Sequence, residues 1–502
     1  MGKFSVLLTT EGTYPFHGGG VSTWCHALTQ NLPEIDFTLL AVTMHPFLEQ
    51  QYELSPNVRQ VLTVPLWGLN QPAEYSWHYP VSQVLTQKWE TTENSVATVF
   101  LPTYTKFLRG ILSNEVQPAQ LGLEMVAMHE YFQRYDYARS MRAQCVWKQF
   151  AAILNECWQS QYPGQSEPTL AEITEASRLL YHFFITLHYP VPRTDVAHSA
   201  AAAFCGLPCV ISKVQHGTPY LLTEHGVYIR EQYLNLRRYV TSFFVRWFLY
   251  KLIGAVARIN YFYADQVSPV CAYNTRWERW WGVEAEKIKV IYNGVDPQRF
   301  KPLRTARNPR PVVSNVALVF PLKGQADLVD AAAKVKQDVA EAEFRFYGSA
   351  SDPEYFAECQ EKVKHYNLEG MVVFAGATDE PWNVFGQADI VAFASISEGF
   401  PYAVIEAMLC GAAIVATDVG GVGEALAESG ILVRPGHPEE LAAAITRLLR
   451  SPQERVTLGE KARARALQLF TQDKFQKQYR ETYRRLAGLE SASLEVMPDA
   501  VA

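Results

Sequence analysis

The chain has 502 residues and a formal net charge of −6, with 48% hydrophobic, 13% aromatic and 19% charged residues. That length is too great for one hydrophobic core and calls for at least two domains, and the composition is that of an ordinary soluble globular enzyme. No basic block of the kind that tracks phosphates is present, so nucleic acid is not expected as a partner.

Taken in order, the chain opens on a strand-like run at Phe4–Thr9 with no cleavage site, and no export is expected. Further apolar, β-branched runs at Phe37–Val42 and Val61–Leu66 read as strands. Between Val81 and Tyr189 the spacing becomes helical, as in Leu123–Trp158 and Leu170–His188, and predicts a subdomain or lid. The strand series resumes at Asp195–His198, Pro208–Val214, Gln266–Val270 and Ile288–Tyr292. The aromatic stretch Phe243–Ala264 is interrupted by Arg246, Lys251 and Arg258, which rejects a membrane span. A partly buried helix is expected there, with an in-plane membrane helix as the alternative. Eight scattered cysteines without paired ligand spacing fit reduced thiols in a cytoplasmic protein, and no metal site is expected.

After the linker-like Thr305–Pro311, strands are predicted at Val312–Phe320, Glu343–Tyr347, Val372–Ala375, Ile390–Ala394, Ile414–Thr417 and Ile431–Val433. Helical patterns alternate with them, predicting a doubly wound parallel sheet that binds ligands at the carboxyl ends of its strands. The expected division is an N-terminal Rossmann-like domain over 1–304 with a helical insertion near 81–190, and a C-terminal Rossmann-like domain over 305–470. A helix over 471–489 crossing back to the first domain and a tail over 490–502 complete it.

The segment Ser397-Glu398-Gly399-Phe400-Pro401-Tyr402-Ala403-Val404-Ile405-Glu406 follows a buried-looking strand. Glu398 falls in the strand-to-helix turn, Gly399 permits close backbone approach, and Pro401 suits a first helical position. Amides at that helix start favour an anionic or hydroxyl-rich ligand. Glu406 lies about one and a half turns into the helix. Each carboxylate could accept hydrogen bonds from vicinal hydroxyls, although the spacing alone also fits an unrelated surface Glu and helix Glu. Lys323, a point charge on a mobile stem, suits a diphosphate clamp.

This segment resembles the Glu-x7-Glu motif of the retaining glycosyltransferases of family 4, whose fold is called GT-B: two Rossmann-like doubly wound domains facing a cleft. Ile291-Tyr292-Asn293-Gly294-Val295-Asp296, Pro321-Leu322-Lys323-Gly324 and Ala416-Thr417-Asp418-Val419-Gly420-Gly421 are similar to further motifs of that family, in the same order. The resemblance implies that Lys323 binds the donor diphosphate, Glu398 the transferred sugar and Glu406 the ribose. It also implies that Gly399, Phe400 and Pro401 line the sugar site, with Asn293 at the substrate and no cofactor beyond a nucleotide-sugar donor. One departure stands out: the family usually has Arg five residues before the lysine, where this chain has Leu318. Arg230 and Arg276 are candidate substitutes for that cation.

In the first half, Glu11-Gly12-Thr13-Tyr14-Pro15 with Gly18-Gly19-Gly20 leads from a strand into a helix, a place for phosphate or acceptor or a plain tight turn. Together with Asp195-Val196-Ala197-His198 and Thr223-Glu224-His225-Gly226, it resembles the PelF-type transferases, which polymerise an exopolysaccharide from UDP-sugar. His198, His216 and His225 each sit near the end of a strand-like run, where imidazole could meet a sugar hydroxyl or serve the structure. His225 is the favoured catalytic candidate beside Glu398 and Lys323. The resemblance implies retaining transfer of a hexose, from UDP-glucose or a related UDP-sugar, to a saccharide acceptor. It further implies metal independence and peripheral association with a membrane polysaccharide-export complex at the inner face. Open alternatives are another GT-B reaction, such as an ADP-glucose glucan synthase or an epimerase, and a non-catalytic nucleotide-sugar-binding subunit.

Overall fold

The computed structural model describes residues 4–68, 80–303 and 309–489, with only the backbone at 238 and 239. The tail expected over 490–502 and most of the expected linker lie outside these residues. The chain divides into two compact units. The first holds residues up to Ser268 with Trp277–Lys289 and the chain from Tyr479 onward; the second holds Pro269–Arg276 and Val290–Gln478.

Each unit is built on a six-stranded sheet whose strand pairs are parallel. In the first, β1 (Ser5–Glu11), β2 (Asp36–Thr43), β3 (Val58–Pro65), β4 (Val196–Ser199), β5 (Tyr220–Glu224) and β6 (Gln266–Pro269) run in the order β3-β2-β1-β4-β5-β6. In the second, β7 (Val312–Val316), β8 (Glu343–Tyr347), β9 (Val372–Gly376), β10 (Ile390–Phe393), β11 (Ile414–Thr417) and β12 (Ile431–Val433) run β12-β11-β10-β7-β8-β9. Renumbered within its own unit, each order is 3-2-1-4-5-6 when read from the appropriate edge, the doubly wound Rossmann arrangement. The central strands are buried on both faces, as β4, β5, β10 and β11 show, so their sequences are continuous apolar runs rather than alternating ones.

The insertion between β3 and β4 is helical, with helices at Val81–Glu90, Leu101–Leu112, Pro118–Arg134, Gln144–Gln161 and Leu170–Phe183. It is not a separate lid. Phe100, Phe107, Met125 and Phe150 join Leu7, Leu40 and Val64 of the sheet in one continuous core. The helix Phe243–Tyr263 belongs to that same core, burying Phe244, Trp247, Phe248, Leu252 and Ile259, so the partly buried helix is the observed state. Among the described residues no helix is long and apolar enough to cross a membrane.

Two strand expectations are corrected. Pro208–Val214 lies in a helix, Leu207–His216, that starts with proline in its first turn and stops at Gly217 with a φ of 69°. Its first six residues are all buried, which erased the helical periodicity. The strand of that region is β5, directly after it. Ile288–Tyr292 forms only an isolated bridge from Ile288 to Val267. The final helical pattern is two helices, Pro452–Leu469 and Gln472–Leu486; the second belongs to unit two up to Gln478 and to unit one from Tyr479.

Candidate functional site

In the second unit, two loops meet at the carboxyl ends of β7 and β10. A short turn, Pro321–Lys323, ends at Gly324, whose φ is 66°. A Cβ there would lie 2.0 Å from the Ala394 carbonyl oxygen, so only glycine lets the first loop press against the end of β10. The Ile396 amide donates to the Leu322 carbonyl at 2.8 Å and ties the loops together. Lys323 Nζ then reaches Glu398 Oε1 at 2.6 Å, and Ser395 Oγ donates to the same oxygen at 2.6 Å. The two charged side chains are 29% and 11% exposed, so the pair is partly desolvated yet open to a ligand. Ser395 is a site residue that motif reading missed; only its position three residues before Glu398 hinted at it.

The backbone behind Glu398 is clamped by the loop after β11. Gly420, at a φ of 57°, faces the Glu398 carbonyl so closely that a Cβ would stand 1.8 Å away, and the Gly421 amide donates to the Gly399 carbonyl at 2.7 Å. Thr417 Oγ1 donates to the Ser395 carbonyl at 2.6 Å. Asn293, itself buried, props the loop from behind: its Nδ2 donates to the Phe400 carbonyl at 2.9 Å, while its Oδ1 has no hydrogen-bond partner among the described residues. Phe400 is buried too, its ring 5.3 Å from Tyr292 and 5.2 Å from Phe470. Gly399 and Pro401 remain half-exposed beside Glu398. Glu406 is half-buried on the helix Tyr402–Leu409; burial raises its carboxyl to about 7, with Arg299 pulling the other way. Leu318 stands exposed after β7, its carbonyl accepting from Gln325 Nε2. Of the two substitute cations, Arg276 lies over the Tyr273 ring at 3.7 Å and Arg230 belongs to the first unit.

The first unit gathers its expected site residues around Trp24. Gly18, Gly19 and Gly20 are exposed at the start of the helix Gly20–Asn31, and Gly19 has a φ of 139°. Trp24, buried one turn inside that helix, meets His225 edge-on at 4.8 Å and His198 at 5.3 Å. His198 is fully buried and both ring nitrogens are engaged, with Tyr483 Oη at 2.7 Å and Thr223 Oγ1 at 2.8 Å. It holds the sheet to the C-terminal helix and presents nothing to a substrate. His225 is half-buried, and its Nε2 has no hydrogen-bond partner among the described residues. Burial lowers both imidazoles to about 3, so both are neutral near pH 7; for His198 the neighbouring His225 adds to the effect. A neutral His225 can exchange a hydrogen bond but is a weak proton acceptor. His216 is exposed at the end of its helix.

Three carboxyls of this unit escaped sequence reasoning as site residues. Glu11, at the end of β1, accepts from the Cys205 amide at 3.0 Å and from Tyr228 Oη at 3.4 Å, and burial raises it to about 7. Glu224 and Glu278 are fully buried. Tyr261 Oη donates to Glu224 at 2.8 Å, while both oxygens of Glu278 lack a hydrogen-bond partner among the described residues. Burial raises both, Glu278 to about 8, and the charge of Glu278 raises Glu224 further.

Two parallel sheets of this order are those of the GT-B fold. Residues 298–465 match the family described as "Glycosyl transferases group 1". Residues 4–286, more than half of the chain, match "Domain of unknown function (DUF3492)", and the chain belongs to that family. Sucrose-phosphate synthase from Thermosynechococcus elongatus superposes with a TM-score of 0.60 at 19% identity, over 97% of this chain and 100% of that one. Anabaena HepE, in complex with UDP and glucose, gives 0.58 at 17% identity, over 95% and 98%. At these identities the likeness is one of fold. A curated relative, the MMP alpha-(1->4)-mannosyltransferase of Mycolicibacterium hassiacum, is 29% identical over 194 residues, which are 38% of this chain and 46% of that protein. The chain thus spans about half the length of the curated relatives it matches first.

Proposed function

We propose that this chain is a retaining hexosyltransferase of the family 4, PelF-like type. It moves a hexose from UDP-glucose or a related UDP-sugar to a saccharide acceptor in exopolysaccharide synthesis, without a metal, on the inner side of a membrane. The observation that carries the reading is the Lys323–Glu398 pair, held with Ser395 at the carboxyl ends of parallel strands in a group 1 domain. The bound UDP and glucose of the structurally similar HepE support the donor class.

On this reading the donor diphosphate draws Lys323 from Glu398, and the freed carboxylate accepts hydrogen bonds from the sugar hydroxyls. As the anomeric C–O bond breaks, its electron pair leaves on the diphosphate, where Lys323 and the backbone amides near Gly399 meet the growing charge. The acceptor hydroxyl forms the new bond from the same face and gives its proton to the departing phosphate. Glu406 holds the ribose. Neutral His225 and the exposed Gly18–Gly20 loop serve the acceptor or the diphosphate through hydrogen bonds, without proton transfer to the imidazole.

A second reading, a non-catalytic nucleotide-sugar-binding subunit, draws on one observation: exposed Leu318 where the family usually has Arg. Metal-free calorimetric titration with UDP, UDP-glucose, UDP-N-acetylglucosamine, ADP-glucose and GDP-mannose tests both. Selective binding of one donor, lost in Lys323→Ala, with nucleotide released on adding acceptor, is the expected result. Donor binding without turnover across an acceptor panel supports the binding subunit. Absence of binding at millimolar ligand rejects both.

A further inference from the structure

The first unit carries a groove of about 740 Å³. The helices Tyr228–Tyr239 and Phe243–Tyr263 and the segment around Trp280 form it. Its wall is aromatic, with Tyr233 and Tyr250 in ring contact at 5.7 Å and Trp280 against Trp281 at 4.9 Å. Three arginines line it, Arg230, Arg237 and Arg246, and among the described residues no lining residue is acidic. Glu231, next to Arg230 in sequence, has its carboxylate over Gly226 and feels the Arg230 charge, and Arg246 donates to the Val240 carbonyl at 3.0 Å. On a chain of net charge −6, this is a local reversal of sign.

The apolar surface continues out of the groove. Trp280 is 70% exposed, Tyr233 58% and Leu234 52%, and Phe243 and Tyr250 are also open. Burying such a face needs a partner, and the lining selects its chemistry. A glycan would want carboxylates or amides to bind its hydroxyls, and among the described residues the groove has no Asp, Glu, Asn or Gln in its wall. Aromatic rings bordered by arginine instead match a boundary where hydrocarbon meets phosphate.

We infer that this groove and its rim form a docking surface for a bilayer containing anionic phospholipid, with the arginines on headgroup phosphates and Trp280, Tyr233 and Phe243 in the acyl boundary. Its lining shares no residue with the Lys323–Glu398 pair, and the inference stands whether or not the proposed transfer is correct.

The test is cosedimentation of the full chain with phosphatidylcholine vesicles and with vesicles that also contain phosphatidylglycerol. Binding to the mixed vesicles, weak on pure phosphatidylcholine and falling with added salt, is expected. Arg237→Glu should lower the partition coefficient by roughly tenfold or more, since each basic side chain at an anionic surface is worth about fivefold. Trp280→Ser should weaken binding at low salt as well and should remove part of the tryptophan quenching by brominated lipid. Both residues are exposed, and an unchanged Tm for each variant shows that the fold is retained. Lack of vesicle binding overturns the inference, and so does binding that neither variant alters. Displacement by dextran sulfate with no effect of Trp280→Ser would also overturn it, assigning the arginines to a soluble polyanion.

Discussion

At the residue scale, Lys323 and Glu398 match each other's charge, and under the proposed transfer each is needed for a different part of the donor. Lys323→Ala removes the cation from the leaving diphosphate and leaves Glu398 with Ser395 alone. Its kcat/KM is expected to fall by about 10²–10³-fold, as for other removals of transition-state charge stabilisation. Ser395→Ala removes one hydrogen bond to a carboxylate that keeps its lysine, and a loss of about 1–2 kcal/mol, or roughly five- to thirtyfold, should follow. If the two variants prove equal, Lys323 is a structural partner of Glu398 and not a diphosphate ligand. Leu318→Arg asks the complementary question. Exposed Leu318 leaves room for a cation, and restoring one should tighten UDP binding by about tenfold in calorimetry. An unchanged affinity would mean that another group already fills that role.

The residue scale also separates what the sequence made visible from what it did not. Glu398 and Lys323 lie in motifs that are legible in the sequence, and the structure brings their side chains together. Ser395 was missed because its value lies only in where its hydroxyl points. For His198 the place at the end of a strand leaves a substrate contact and a structural role both open, because its partners Tyr483 and Thr223 are 285 and 25 residues away in sequence. A local pattern does not carry such a contact.

At the element scale, legibility depended on whether burial left a period to read. The second unit alternates short buried strands with amphipathic helices, and all six of its strands were anticipated, although the first ends at Val316 rather than Phe320. In the first unit the helix Leu207–His216 is buried along most of its length and looked like a strand. The real strand, Tyr220–Glu224, was hidden inside a stretch read only as a motif. The turn at Gly324 is the element on which the site depends. Gly324→Ala forces a side chain into left-handed backbone and against the Ala394 carbonyl, which cannot move without disturbing β10. A cost of about 2–4 kcal/mol is expected, seen as a Tm lower by roughly 5–10 °C. Donor binding should be lost with it, because Lys323 is the preceding residue. A variant with the Tm and UDP affinity of the parent would show that the loop can be spaced differently.

At the scale of the whole molecule, buried ionisable groups set how stability depends on pH. Burial raises Glu11 and Glu406 from 4.5 to about 7 and Glu278 to about 8, and it raises Glu224 as well. Burial disfavours the charge of Glu278 and Arg279 favours it, and that charge in turn raises Glu224 and Tyr261. For these acids the folded state holds protons that the unfolded state has released. Their contribution is therefore complete below about 4.5 and is lost as pH rises through 7 and 8. His198 and His225, lowered from 6.5 to about 3, act in the opposite sense: the unfolded state takes up protons first, so stability is lost as pH falls from 6.5 toward 3. Between 4.5 and 6.5 these four acids, joined by Glu231 and Asp327, outnumber the imidazoles, which His26, His129 and His182 join; below 4.5 the imidazoles act together with carboxyls that their partners hold low, such as Glu34, Glu172 and Glu343. The Tm should thus peak near pH 5 and decline to pH 8.5, as the stability falls by an amount on the order of several kcal/mol, since one pKa unit is about 1.4 kcal/mol. Glu278→Gln keeps the shape of the buried group and removes its titration, so its Tm should fall less steeply between pH 6 and 8.5 than that of the parent. Thermal melts across that range decide the matter: a parent Tm that rises from pH 5 to pH 8 would mean that these carboxyls are ionised in the fold, with a counter-charge at Glu224 and Glu278.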